Sequence, residues 1–198
     1  MPLRFPSPSQ KISDAFAADL SEGAQTAAAF ERFGVRAPAS DAVLPGIHQV
    51  FYVPPKLLRP GTFQEAAKPV SWRRIQGSAG LPSDAEIDLT QNPENSQITS
   101  RTRGPFSHAP VAQLPALAVG DEGEGAPLRE VRMLRIPEIK LMAIWLHSAD
   151  APAQDTLIPL APCLSILIPG QSYSVESLSR AMRPAIEELA RQPEEADS

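Results

Sequence analysis

The run Leu141 to Leu146, inside the stretch MLRIPEIKLMAIWLHSAD, is apolar at every position. It constrains the fold more than any other feature. A strand with one wet face alternates apolar and polar residues, because successive Cβ atoms point to opposite sides. A run that does not alternate needs cover on both sides. Leu128 to Ile136 and Ile139 to His147 are both rich in strand-forming residues, and Pro137 between them would break any helix spanning the pair. The stretch therefore reads as two strands hinged at Pro137-Glu138, with Leu141 to Leu146 in the middle of a sheet and serving as core.

Other segments supply partners for that sheet. Ile47 to Val53 (IHQVFYV) is β-branched and aromatic and stops at Pro54-Pro55, which cannot donate to a ladder. Val70 to Gln76 follows with an imperfect period of two, and Phe63 to Ala67 between them predicts a short helix. Glu86 to Leu89, Asp155 to Leu160 and Cys163 to Ile168 are further strand candidates. The turn-forming residues of 77–104 predict mostly loop around the first of these. Prolines 105, 110 and 115 exclude one continuous helix over that region, and GDEGEGAP (120–127) predicts an exposed acidic loop.

Two helices frame the chain. Phe16, Leu20, Ala27, Phe30 and Phe33 recur at helical spacing before Gly34, predicting a helix over about 13–33. Its alanine-rich stripe is thin and suits peripheral packing or a partner chain. At the other end Ser174 is an N-cap, Tyr173 and Leu178 are placed as a hydrophobic staple, and Val175, Leu178, Met182, Ile186 and Leu189 form one stripe, with Pro184 inside it. The expected organisation is a flexible leader over 1–11 and one α+β domain over 12–191, containing a linker at 35–46, then a flexible tail over 192–198. Its sheet, antiparallel or mixed, has about five to seven strands. The C-terminal helix packs on one face and a looser N-terminal helix lies outside.

Composition narrows the function classes. A net charge of −5 creates no field that would hold a polyanion, which argues against nucleic acid as a general partner. The 22 prolines among 198 residues are about twice average usage and predict long, stiff loops. Cys163 is the sole cysteine, so no intramolecular disulfide or multi-cysteine zinc site can form, and a reducing, cytoplasmic setting is expected. The N-terminus lacks the apolar block of a secretory signal, and the longest apolar stretch, TLIPLAPCLSILIPG, is too short and too proline-broken to span a bilayer.

Two groups of residues carry candidate chemistry. His147, at the end of the apolar strand, has Ser148 and Asp150 near it in sequence; it would serve as general base with Asp150 orienting its ring and Ser148 or Cys163 as nucleophile. Against this, WLHSAD matches no nucleophile signature, and a strand-end histidine bonded to a backbone carbonyl accounts for the same residues. Arginine makes up 14 of the 18 basic residues. Arg73, Arg74, Arg101 and Arg103 form a candidate anion-binding group, although no phosphate-loop or dinucleotide fingerprint accompanies them. His48, His108 and His147 lack metal-ligand spacing, so no metal or cofactor is expected.

The absence of a dense catalytic constellation favours a non-enzymatic binding or assembly protein, acting on a protein partner or a copy of itself through its N-terminal helix and proline-rich loops. A small-molecule hydrolase or transferase built on His147 and Asp150 is one alternative. An anion or nucleic-acid binder built on the arginines is the other.

Overall fold

The computed structural model describes residues 3–19, 47–76, 83–90, 97–103, 110, 113 and 128–191. Its centre is one mixed sheet with the strand order β5-β4-β3-β2-β6-β7-β8-β9. The strands are β1 (Leu3–Arg4), β2 (Ile47–Tyr52), β3 (Lys68–Gln76), β4 (Ser83–Asp88), β5 (Ser100–Arg103), β6 (Arg129–Ile136), β7 (Leu141–His147), β8 (Thr156–Pro159) and β9 (Tyr173–Ser174). β1 and β2 both run parallel to β6 and share its edge, and all other pairings are antiparallel. The helices are α1 (residues 10–19), α2 (Phe63–Ala66) and α3 (Val175–Arg191). The α+β class, the mixed sheet and the C-terminal helix are as expected. The strand count of nine exceeds five to seven because β1 and β9 have two residues each, too short to leave a periodic signal, and because β5 forms within 77–104, where the turn-forming composition predicts loop.

β7 explains the unbroken apolar run. It lies between β6 and β8, and all six residues from Leu141 to Leu146 are buried. On one face Ala143 and Trp145 join Phe51, Leu134 and Leu157 beneath Leu178 and Met182 of α3. On the other, Ile144 and Leu146 pack with Val50, Val131, Met133 and Ile158. The bend at Pro137-Glu138 is a 3₁₀ turn whose last position, Lys140, adopts a left-handed φ of 49°. α3 begins where its cap was expected: the Ser174 hydroxyl accepts a hydrogen bond from the Ser177 amide at 3.1 Å, and the helix continues through Pro184.

α1 packs over β3 and β4, where Ile12 and Phe16 meet Trp72, Ala85 and Ile87. Trp72 lies opposite Gln49, which shares its side of β2 with Phe51, so α1 and α3 cover the same face of the sheet. Over residues 10–19, α1 is held by charged as well as apolar contacts. Arg74 donates to the Phe16 carbonyl and pairs with Asp19, which Arg101 also grips.

Two further expectations are corrected. Leu3 and Arg4 pair with Arg129 and Glu130, so chain expected as leader belongs to the sheet. Cys163 to Ile168 is a turn instead of a strand, closed by Leu167 N to Leu164 O at 2.9 Å and Gly170 N to Pro159 O at 2.8 Å. The expected helix beyond residue 19, the linker 35–46, the acidic loop 120–127 and the tail 192–198 lie outside the described residues.

Candidate functional site

His147 leaves the end of β7 directed at a carboxylate, but not the one nearest in sequence. Asp150 is exposed, whereas Asp155 is 1% exposed and gathers four donors. Trp145 Nε1 donates to it at 2.8 Å, the Ser148 amide at 2.9 Å, His147 Nδ1 lies at 3.1 Å and Gln64 Nε2 at 3.3 Å. The 3₁₀ turn Pro152–Gln154 folds the chain back and brings Asp155 beneath the strand end. Asp155 therefore takes the orienting role expected of Asp150, and it replaces the expected backbone carbonyl as partner of the ring. In the neutral tautomer that donates Nδ1–H to Asp155, the lone pair is on Nε2.

Register supplies a second acid. Glu130 lies directly opposite His147 on β6 and is held by Arg4 at 2.8 Å and Arg132 at 2.7 Å. Burial works against the ionised Glu130 carboxylate, yet hydrogen bonds from Arg132 and Arg4, with their charges, keep its pKa below the usual carboxylate range. The Arg132 guanidinium is fixed in turn, stacked 4.8 Å from the rings of both Phe51 and Trp145. Glu130 borders a cavity of about 440 Å³ shared with Arg4, Ser7, Gln49 and Trp72, on the helix-covered face. Glu130 thus stands between His147 and a polar hollow that His147 itself does not line. The nucleophiles considered are not at hand: Ser148 is buried with its amide committed to Asp155, and Cys163 lines a different cavity near the opposite end of β7.

The arginines do not converge. Arg73 and Arg74 point to opposite faces of β3, as a two-residue period requires. Arg73 is 3% exposed, pairs with Asp84 and reaches Met142 Sδ at 3.4 Å. Arg74 and Arg101 meet instead at Asp19, where they anchor α1. Burial pushes the Arg74 pKa down, with Asp19 opposing. Arg103 pairs through its backbone with Ser83 at the end of β5. The residue that does join Arg73 was outside the candidate set: Arg135 holds Glu86 through both terminal nitrogens, at 3.0 and 2.7 Å. Arg73 and Glu86 are register partners on β3 and β4, so the two ion pairs form one charged array across the sheet.

That array walls a larger cavity, of about 520 Å³, on the face opposite α3. Its other side is apolar, built from Pro137, Met142, Pro162 and Leu164, with Cys163 among them. Burial pushes the Cys163 thiol pKa up, keeping it neutral. Beyond Leu164 the turn presents Ile166 and Ile168 to solvent at 48% and 62% exposure. The turn is nonetheless fixed, since the Ile168 amide donates to the Tyr173 hydroxyl at 3.1 Å. Gly170 closes it at a φ of 79°, with the Gln113 amide so near that a Cβ would stand 2.8 Å from it.

Two fully buried residues, His48 and Ser71, have side-chain polar atoms with no hydrogen-bond partner among the described residues. His48 is fully buried on the charged-array face beside Arg73, with its ring 5.2 Å from that of Phe5. Neither of its ring nitrogens finds a hydrogen-bond partner among the described residues. Burial, then the Arg73 charge, lowers its pKa from 6.5 to about 4. Among the described residues no cluster of three His, Cys, Asp or Glu side chains offers a metal site, and no helix is long and apolar enough to cross a membrane.

No protein family, curated protein or solved structure matches this chain.

Proposed function

We propose that this is a non-enzymatic binding protein that engages another protein, or a second copy of itself, through the proline-bounded turn from Pro162 to Gly170. The observation that carries this reading is the exposure of Ile166 and Ile168. Of the three large hydrophobic residues exposed among the described residues, two lie within this one turn. Exposed isoleucines on a mobile loop would lose ordering entropy on binding. Here the backbone bonds to Leu164, Pro159 and Tyr173 have already restricted the loop, so little of that cost remains. α1 is no longer a candidate contact over residues 10–19, because its apolar side is spent on the sheet. An unpaired Cys163 is compatible with a reducing, cytoplasmic setting.

The test combines hydrodynamics with site-specific crosslinking. Light scattering across a concentration series should show self-association that Ile166→Asp with Ile168→Asp abolishes, or a photoreactive residue at position 168 should crosslink a defined protein in its native source. A concentration-independent monomer that yields no crosslink at 168 removes the proposal.

A second reading, a small-molecule hydrolase or transferase, draws on the His147–Asp155 dyad and its neighbour Glu130. His147 Nε2 would act as general base, with substrate seated against Gln49 and Arg4. This reading requires turnover that disappears in His147→Gln while the fold is retained.

A further inference from the structure

We propose that the 520 Å³ cavity at the β6–β7 turn is a binding site for a small organic monoanion with an apolar body, such as a medium-chain carboxylate. Cavities of roughly 300–1,000 Å³ hold small-molecule ligands when apolar walls are combined with a few placed polar groups, and this one has that construction.

Charge identifies the ligand class. Two of the cations on the wall are already matched, Arg73 by Asp84 and Arg135 by Glu86. Lys140 is the remaining cation in the lining, and it has no carboxylate within ion-pair distance among the described residues. The acid closest to it in sequence, Glu138, lies outside the cavity lining and accepts a hydrogen bond from the Tyr52 hydroxyl at 2.5 Å. Among the described residues the lining thus carries a single uncompensated positive charge, at an exposed residue in the left-handed turn. A monoanion neutralises it. A polyphosphate would bring several negative charges to one unmatched lysine, and a cation would meet a net positive lining.

The remaining surface accounts for the rest of the molecule. A carboxylate at Lys140 lies next to Arg135, of whose five N–H donors Glu86 takes two. The apolar body then rests on Met142, Pro162 and Leu164. Arg73 and Asp84 are buried and mutually paired, so they present the ligand with a neutral, fixed floor instead of a competing charge.

Octanoate is a suitable probe, with octanol as its uncharged counterpart, measured by calorimetry and by the rate at which a maleimide alkylates Cys163. Octanoate should bind saturably, protect Cys163 from alkylation and bind at least tenfold more tightly than octanol. Lys140→Asn, chosen because asparagine tolerates the left-handed conformation, should weaken octanoate at least tenfold and leave octanol unchanged, while Lys140→Arg should restore binding. Inorganic phosphate should not compete. Equal affinity for octanoate and octanol, an unaffected Lys140→Asn variant, an unprotected Cys163 or no saturable binding would each overturn the assignment. The measurement is independent of the Ile166 and Ile168 surface, so it stands or falls separately from the docking role.

Discussion

Replacing Asp155 with alanine should remove a large part of this protein's stability. The carboxylate is 1% exposed and accepts from the Trp145 indole and the Ser148 amide, themselves 1% exposed residues, besides His147 and Gln64. A buried donor left without its acceptor costs about 1–3 kcal/mol. Two such donors, with smaller losses at the half-buried His147 and Gln64, give about 4 kcal/mol, a large part of the roughly 5–15 kcal/mol that holds a domain of this size. Trp145→Phe removes one of the donors and leaves Asp155 with its other partners, so it should cost about 1–2 kcal/mol for the hydrogen bond, plus a small packing term. In the Asp155→Ala background the same change should cost about 1 kcal/mol less, because the orphaned indole N–H disappears with it. Urea unfolding followed by far-UV circular dichroism on the wild type, both single variants and the double variant yields that coupling directly. Additive costs, or an Asp155→Ala penalty below about 1 kcal/mol, would refute the picture of Asp155 as a buried acceptor hub.

His48 sets a pH dependence. Its folded pKa of about 4 lies below the unfolded 6.5, so between these values the unfolded chain binds the extra proton. Stability should be fully present above pH 6.5 and decline as the pH falls toward 4, by a total on the order of 3 kcal/mol from this group. His48→Leu should flatten that decline in denaturation curves taken from pH 7 to 4. It should also raise stability at pH 7 by about 1 kcal/mol, since it removes buried nitrogens that have no partner; an unchanged slope argues against His48 as its source. Leu178→Ala, under α3, should cost about 2–5 kcal/mol by chemical denaturation, whereas a cost under 1 kcal/mol would mean that α3 is not an essential layer. Asp19→Ala releases Arg74 and Arg101 together, and amide exchange in residues 10–19 should accelerate well before that of β7; unchanged protection there would show that the apolar contacts of Ile12 and Phe16 hold α1 without the ion pairs.

Much of the sheet was legible in the sequence because local pattern dictates it. Six apolar positions without alternation require cover on both sides, and β7 lies mid-sheet with both faces buried. Pro137, Pro54-Pro55 and Ser174 mark boundaries through their own backbone chemistry, and the β6–β7 bend, the end of β2 and the start of α3 fall beside them. The same local logic misread Cys163 to Ile168, whose strand-like composition folds into a turn: there the hydrogen-bond partners are Pro159 and Tyr173, and composition does not reveal partners.

The sites lay beyond local pattern altogether. Which carboxylate meets His147 depended on the path of the turn after Ser148, so Asp155, eight residues away, replaced the neighbour Asp150. Which cation meets Arg73's charged array depended on β6 lying in the same sheet face as β3 and β4, which brings Arg135 to Glu86 across 49 residues of chain. The sequence by itself determined which segments become strands and helices and which of their sides are apolar, since those follow from backbone propensity and side-chain period. Only the tertiary structure decided which charges face one another and which hollows stay open, because pairing across a sheet is a property of register and strand order, and neither is written in any one segment.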